Sequence, residues 1–217
     1  FAAMRRRLAV DGHFPAATPL AHRERLSYAF QDRTSRWRAV LTLEDRAGAL
    51  FEYNEETVLE RLRDADALVL LFDPRRDPMR LRTEILQTLE RIHAERGFGS
   101  EPDPRPTAVC LSKADVLMRT LDDFELARRS PGDFVKRHLD ASLVASLKRY
   151  CGRFELFPVA AVGLDAAWGV LEPRLVVDEL GRDRPIPGGA SLNLLAPFVW
   201  AFETLRSSAA ERHGAAP

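Results

Sequence analysis

Two residues of the sequence, Asp45 and Gly48, have the types and the spacing of a loop that handles phosphate and a divalent cation. They follow an apolar run at 37–44, and a helix-like segment at 54–63 and a second apolar run at 67–72 come next. This order predicts a strand–loop–helix–strand unit of a parallel sheet. A carboxylate leaving such a strand can hold Mg²⁺, and a glycine three residues later lets a backbone N–H approach a terminal phosphate.

The elements that must position this loop alternate between strand and helix patterns. Two extended runs at 26–30 and 37–43 predict an antiparallel hairpin that leads into it. Later elements are predicted as a helix at 79–97, a strand at 107–111, a short and a longer helix within 124–150, a strand at 154–160 and a helix at 191–206. We therefore predict an α/β fold with an open, mainly parallel sheet flanked by helices.

Three stretches of the sequence have prolines or weak alternation that interrupt these patterns. The segment at 99–106 contains three prolines and is predicted to be a surface loop. The segment at 168–184 alternates weakly, which leaves a short hairpin open. Ser191 is predicted to cap the last helix, and Pro197 must then lie in its first turns.

The composition is that of one globular domain without a global charge. The chain has 217 residues, is 46% apolar, and balances 32 basic against 32 acidic residues. This length suits a full core in one α/β domain, predicted at 1–206, followed by a flexible tail at 207–217. Because the formal net charge is zero, no global field attracts nucleic acid or an anionic membrane, and we expect neither as a partner.

The cysteines and the hydropathy favour the cytoplasm. Cys110 and Cys151 are the only cysteines, and they form neither a disulfide framework nor a metal-ligand cluster in the sequence. No apolar run approaches the ~20 residues that a membrane-spanning helix needs. We therefore expect a cytoplasmic protein with no membrane span.

Three loops follow three of the predicted strands, where an open parallel sheet places its ligand. They are Asp45-x-x-Gly48, Ser112-Lys113-x-Asp115 and Ala160-Ala161-Val162-Gly163. In this order they resemble the third, fourth and fifth signature loops of P-loop GTPases of the Ras-like and translation-factor class. The detail is most similar to bacterial small-GTPase-like domains of the double-GTPase type, and the likeness extends from about residue 1 to about residue 206.

The resemblance implies that the chain binds GTP or GDP together with Mg²⁺. Asp45 would hold Mg²⁺ through a water molecule, since a magnesium ion bound to phosphates keeps much of its hydration shell. Thr18 would be the switch threonine, with its hydroxyl on Mg²⁺ when the γ-phosphate is present. Gly48 would donate its N–H to the γ-phosphate, which a residue without Cβ can approach closely.

The other two loops are expected, by the same resemblance, to bind the guanine base. Asp115 would accept the N1 and N2 hydrogens of guanine in a bidentate pair, Lys113 would lay its stem over the base, and the N–H of Ala161 would reach O6. Ser112 stands where the family usually has Asn or Thr, and Ala160 stands where Ser is usual. Each change weakens a hydrogen bond behind the base, so we expect a relaxed preference for guanine.

Two departures concern the phosphates. No Gly-x-x-x-x-Gly-Lys-Ser/Thr motif occurs in the sequence, and 1–10 has the pattern of the end of the helix that follows this motif in the family. We expect the first strand and the phosphate loop to precede residue 1, either cleaved, disordered or carried by another chain. Ala49 replaces the Gln or Glu that often orients the attacking water, so hydrolysis should be slow or partner-assisted.

Three functions remain open from the sequence. The first is a GTP-binding switch that engages a protein effector or a second GTPase-like domain. The second is a pseudo-GTPase interaction module without turnover, which Ala49 and the missing phosphate motif favour. The third is an unrelated doubly wound domain that binds another small molecule at the same strand ends.

Overall fold

A computed structural model describes the chain at residues 24–31, 38–45, 62–75, 77–97, 99, 101–162, 164–167, 170–173, 175–177, 179, 183–185 and 191–214. The described residues from Asp66 to Ala201 form one compact unit, and those before Asp66 and after Ala201 form a second. The predicted elements at 1–23 and most of the predicted helix at 54–63 lie outside the described residues.

The second unit contains the predicted hairpin. Strand β1 (Glu24–Gln31) pairs antiparallel with β2 (Arg38–Asp45), and Glu24 stands opposite Asp45 in the register. The alternation of polar and apolar residues in both runs fits a two-stranded ribbon. The hairpin prediction is therefore confirmed, with Asp45 as the last residue of its strand.

The first unit is built on a parallel sheet of three strands in the order β3-β4-β5. The strands are β3 (Leu68–Phe72), β4 (Asp103–Leu111) and β5 (Cys151–Pro158). Phe72 pairs with Leu111, and Leu111 pairs with Pro158, so the carboxyl ends of all three strands lie level. The predicted α/β class with an open parallel sheet is confirmed.

Helices connect these strands, and short hairpins follow them. The helices are α1 (Pro78–Arg96), α2 (Leu121–Arg129), α3 (Pro131–His138), α4 (Ala141–Tyr150) and α5 (Ala196–Gly214), with a 3₁₀ turn at Ala114–Leu117. The hairpins are β6 (Leu164–Ala167) with β7 (Val170–Pro173), and β8 (Leu175–Val177) with β9 (Asp183–Pro185). The weakly alternating segment therefore does contain hairpins.

Local signals explain the limits of α1. The side chain of Asp77 accepts hydrogen bonds from the backbone N–H groups of Met79 and Arg80, and Pro78 occupies the first turn. Gly97 ends the helix in the left-handed conformation with φ 68°, which a residue without Cβ adopts without strain. The predicted end of this helix at Gly97 is confirmed.

Helices cover both faces of the sheet, as its two-sided apolar strands require. On one face, Val109 and Leu111 of β4 belong to the main core with α1 to α4. On the other face, Ala108 and Cys110 pack with Phe157 and with helix α5. Alternate residues of β4 thus enter two separate cores, which makes this strand the centre of the first unit.

The predicted surface loop at 99–106 is wrong over its second half, because β4 begins at Asp103. Asp103 and Arg105 are 3% and 5% exposed, and the Arg105 guanidinium Nε lies 2.9 Å from Asp103 Oδ2. The prolines interrupt the ladder, since the register with β5 shifts between Asp103 and Pro106. An internal ion pair lets a proline-rich segment enter the sheet.

Two helix predictions need correction at their ends. The longer helix predicted before residue 150 is divided at Leu139, and Asp140 caps α4 through the N–H of Leu143. The last helix starts at Ala196 rather than after Ser191, with Pro197 in its first turn. It continues to Gly214. Within this helix, the hydroxyls of Ser207 and Ser208 donate to backbone carbonyls one turn earlier.

We predict that Arg105→Leu lowers the free energy of unfolding by about 3 kcal/mol, because the buried Asp103 carboxylate then has no cationic partner and keeps only the backbone N–H of residue 105. Urea denaturation of the first unit in the intact protein measures the loss. The double variant Asp103→Leu/Arg105→Leu should recover most of it, since no buried charge remains. Equal losses in the single and double variants would contradict this explanation of the pair.

Candidate functional site

The candidate site lies at the carboxyl edge of the three-stranded sheet, where the loops hydrogen-bond to each other. The backbone N–H and the hydroxyl of Ser112 both donate to the carbonyl of Phe72, at 2.8 and 2.9 Å. Val159 donates to the carbonyl of Leu111 at 2.8 Å and accepts from the N–H of Ala114 at 3.1 Å. The loops after β4 and β5 therefore form one continuous rim.

A cluster of three charged side chains stands on this rim. Lys113 has a left-handed backbone with φ 54°, and its Nζ lies 2.7 Å from Asp73 Oδ2. Arg75 also binds Asp73, with Nη2 2.8 Å from Oδ2 and Nε 3.1 Å from Oδ1. The hydrogen bonds from Arg75 and Lys113 outweigh burial and hold the pKa of Asp73 well below its ordinary value.

Asp115 is the most buried acidic side chain of the rim, at 6% exposure, and lies in the 3₁₀ turn. Burial raises the pKa of its carboxyl, while its own backbone N–H and the charges of Arg75 and Lys113 oppose that shift. Among the described residues, no other residue donates a hydrogen bond to this carboxylate. A buried acid with so few hydrogen-bond partners lowers the stability of the folded protein and is a candidate for binding a ligand.

The loop after β5 completes the rim. Ala160 is 1% exposed and exchanges two backbone hydrogen bonds with Leu192, at 2.9 and 3.1 Å. Ala161 follows directly and is exposed. The chain thus passes from a buried to an exposed residue in one step, and Ala161 follows the loop segment that is hydrogen-bonded to Ala114, the neighbour of Asp115.

The predicted site residues divide into those that the structure brings together and those that it does not. Together on the rim of the first unit are Ser112, Lys113, Asp115, Ala160 and Ala161. Asp45 ends β2 in the second unit, while Thr18, Gly48 and Ala49 lie outside the described residues. The assignment of the metal and phosphate roles therefore stays a prediction.

Sequence reasoning missed Asp73 and Arg75, which share the rim with Lys113. A signal for Asp73 was present, because it directly follows an apolar run at 67–72 as Asp45 follows the apolar run at 37–44. Arg75 had no such signal, since a single arginine in a turn is common on protein surfaces. Its bidentate contact with Asp73 is visible only in the structure.

The described residues bear on two questions, metal binding and membrane insertion. They include no group of three or more His, Cys, Asp or Glu side chains arranged to hold a metal ion. Magnesium bound to a nucleotide needs only one or two protein oxygens besides phosphate and water. No helix within the described part of the chain has the length and apolar character needed to cross a membrane.

Fold and site together define a class, an α/β domain whose candidate ligand site lies at the carboxyl edge of an open parallel sheet. A scan against models of protein families finds no matching family, and a search of curated proteins finds no match.

We predict that Asp115→Asn raises the free energy of unfolding of the ligand-free protein by about 1 kcal/mol at pH 7, because it removes a buried charge. The unfolded carboxyl titrates near about pH 4. Since the folded pKa is higher, the stability contributed by Asp115 is present below that pH and is lost as pH rises through the folded pKa. Urea denaturation at pH 4 and pH 7 measures the difference, which should grow with pH.

Asp73→Asn is the matched control, because the pKa of Asp73 is shifted in the opposite direction. Its stabilisation is present at neutral pH and is lost as pH falls below about 4 through the lowered pKa. We expect Asp73→Asn to lower stability at pH 7 by less than about 1 kcal/mol, since both cationic partners are exposed. Destabilisation by both variants at pH 7 would refute the account of Asp115.

Proposed function

We propose that the chain belongs to a GTP-binding switch protein. It binds GTP and GDP with Mg²⁺, contacts a protein effector or a second GTPase-like domain in one nucleotide state, and takes part in slow or partner-assisted hydrolysis. One observation carries this proposal: the buried Asp115 and the exposed residue Ala161 stand on adjacent, hydrogen-bonded strand-end loops.

The chemistry of Asp115 suits guanine. Guanine offers two neighbouring donors, N1–H and N2–H₂, which match the two oxygens of one carboxylate. Adenine has no donor at N1, so the same carboxylate would be left without that partner in a buried place. In this proposal, the ligand supplies the donors that Asp115 lacks among the described residues.

Lys113 is proposed to cover the base with its aliphatic stem. Asp73 holds its ammonium group at 2.7 Å, which fixes the far end of the side chain. A lysine anchored in this way presents methylene groups while its charge stays neutralised at the edge of the site. Asp73 is therefore proposed to position Lys113 and not to touch the nucleotide.

The phosphate side of the proposal depends on Asp45, Thr18 and Gly48, in the roles that the resemblance implies. Asp45 would hold Mg²⁺ through water, Thr18 would bind it directly, and Gly48 would donate to the γ-phosphate. The sequence contains no Gly-x-x-x-x-Gly-Lys-Ser/Thr motif. Asp45, Thr18 and Gly48 are therefore the phosphate and Mg²⁺ contacts that we propose for this chain.

Ala49 supports slow turnover, because a methyl group cannot orient an attacking water. A cytoplasmic location is part of the proposal, and the thiols agree with it. Cys110 and Cys151 are free and buried, and burial raises their pKa values to about 12 and about 11. Such thiols are protonated at neutral pH and belong to the core.

A pseudo-GTPase interaction module is the second candidate. The absence of the phosphate-binding motif from the sequence and the alanine at position 49 both favour it. In that case, the rim would serve as a scaffold for protein contacts and no nucleotide would turn over. Binding measurements distinguish the two candidates directly.

We predict that the natural full-length protein binds a fluorescent GDP analogue, and that Asp115→Asn weakens this binding about 100-fold through loss of two charge-assisted hydrogen bonds. Fluorescence titration with GDP and ADP as competitors measures both affinity and base preference. Asp45→Ala should remove the Mg²⁺ dependence of GTP binding and leave the preference for guanine intact.

Asp122→Asn is the control, because this acid is exposed in the first turn of α2 and has no role in the proposed site. It should leave the affinity unchanged. If neither GDP nor GTP binds to the full-length protein, the switch proposal is wrong and the interaction module remains. Turnover without a partner faster than about one per minute would contradict the role given to Ala49.

A further inference from the structure

We infer that Asn193 is a positioning residue for guanine recognition, because its side-chain amide fixes the loop from which Ala161 offers its N–H. This inference rests on the proposed function, since it assigns that loop to the O6 edge of the base. No motif or periodicity in the sequence singles out Asn193, and its contacts connect distant parts of the chain.

The amide of Asn193 donates to two backbone carbonyls. Nδ2 lies 3.1 Å from the carbonyl oxygen of Pro158, the last residue of β5, and 3.2 Å from that of Ala127 in α2. The carbonyl of Ala127 lacks its usual partner in the helix, because the residue four positions later is Pro131, which has no N–H. Asn193 therefore satisfies a buried acceptor that the helix itself cannot satisfy.

The backbone of Asn193 adopts the conformation that this contact needs. Its φ is 50°, in the left-handed region that asparagine enters more readily than other residues with a side chain. The preceding residue, Leu192, exchanges two backbone hydrogen bonds with Ala160. The short segment of Leu192 and Asn193, which we name the 192–193 clamp, thus holds the chain on both sides of Val159.

The rim is consequently fixed from two directions. On one side, the loop that carries Asp115 binds Val159, through the Ala114 N–H at 3.1 Å. On the other side, the 192–193 clamp holds Pro158 and Ala160. The residues next to Ala161 and Asp115 are therefore tied to each other and to the 192–193 clamp, and in this inference those ties position the two residues for the adjacent O6 and N1 atoms of one guanine.

Replacement of Asn193 by glycine separates the amide from the backbone conformation. Glycine adopts φ 50° without strain, so Asn193→Gly removes the two donated hydrogen bonds and keeps the path of the chain. Asn193→Asp is the second variant, because it keeps the shape and the tolerance for positive φ but replaces the donor by an acceptor. Ser191→Ala is the control, since Ser191 is exposed in the same segment.

The test compares GDP with 6-thio-GDP in the natural full-length protein. The thio analogue keeps the N1 and N2 hydrogens that Asp115 would accept, but sulfur at position 6 is a poor acceptor for the Ala161 N–H. We expect Asn193→Gly to weaken GDP binding about fivefold and 6-thio-GDP binding less than about twofold. The wild-type preference for GDP over the analogue should therefore shrink, and Asn193→Asp should show the same change.

Amide hydrogen exchange provides a second readout that does not need the nucleotide. In Asn193→Gly, the amides of Ala160 and Leu192 should exchange at least about tenfold faster, while Val109 in the middle of β4 stays protected. Unchanged exchange at Ala160 would overturn the clamp, whatever the nucleotide affinities of the variant.

The outcomes separate this inference from the proposed function. An unchanged ratio of GDP to 6-thio-GDP affinity, with guanine binding intact, overturns the role of Asn193 and leaves the proposed function in place. An equal loss of affinity for both nucleotides also overturns the role of Asn193, because such a loss indicates a general structural effect. Failure of the wild-type protein to bind any guanine nucleotide overturns both the proposed function and the inference.

Discussion

The level ends of three parallel strands are the constraint on which the candidate site depends. Phe72, Leu111 and Pro158 stand at one height in the register, so the loops that follow them must meet. Their backbone groups then bind each other, and the chain presents a charged cluster and the exposed Ala161 along one edge. A shift of one residue in β4 would exchange its two buried faces and move Asp115 away from this edge.

A buried carboxylate at such an edge lowers the stability of the free protein. The raised pKa of Asp115 reflects that loss, whereas the lowered pKa of Asp73 reflects a carboxylate that is well paired. The two acids stand on neighbouring strand ends and respond to the same two cations, Arg75 and Lys113. Asp73 therefore organises the rim, whereas the carboxylate of Asp115 can still accept hydrogen bonds from a ligand.

The sequence predicted the parts of this fold that depend on local signals. The apolar strands β3 to β5 and the end of α1 at Gly97 follow from periodicity and from a helix-terminating glycine. Two side-chain contacts that stabilise the fold were missed. The pair of Asp103 and Arg105 lies among prolines that indicate a loop, and the amide of Asn193 reaches a carbonyl 66 positions away. Neither leaves a periodic pattern, because each depends on which elements are neighbours in space.

The central claim is that Asp115 and Ala161 face one guanine base. Its most direct test is an NMR titration of the natural full-length protein, labelled with ¹³C at aspartate carboxyls and ¹⁵N at alanine amides, with GDP and separately with ADP. The account predicts that GDP shifts the Asp115 carboxyl and the Ala161 amide at the same ligand concentrations, and that ADP shifts neither. Equal shifts with ADP, or GDP shifts confined to the amino ends of the strands near Asp103, would contradict it.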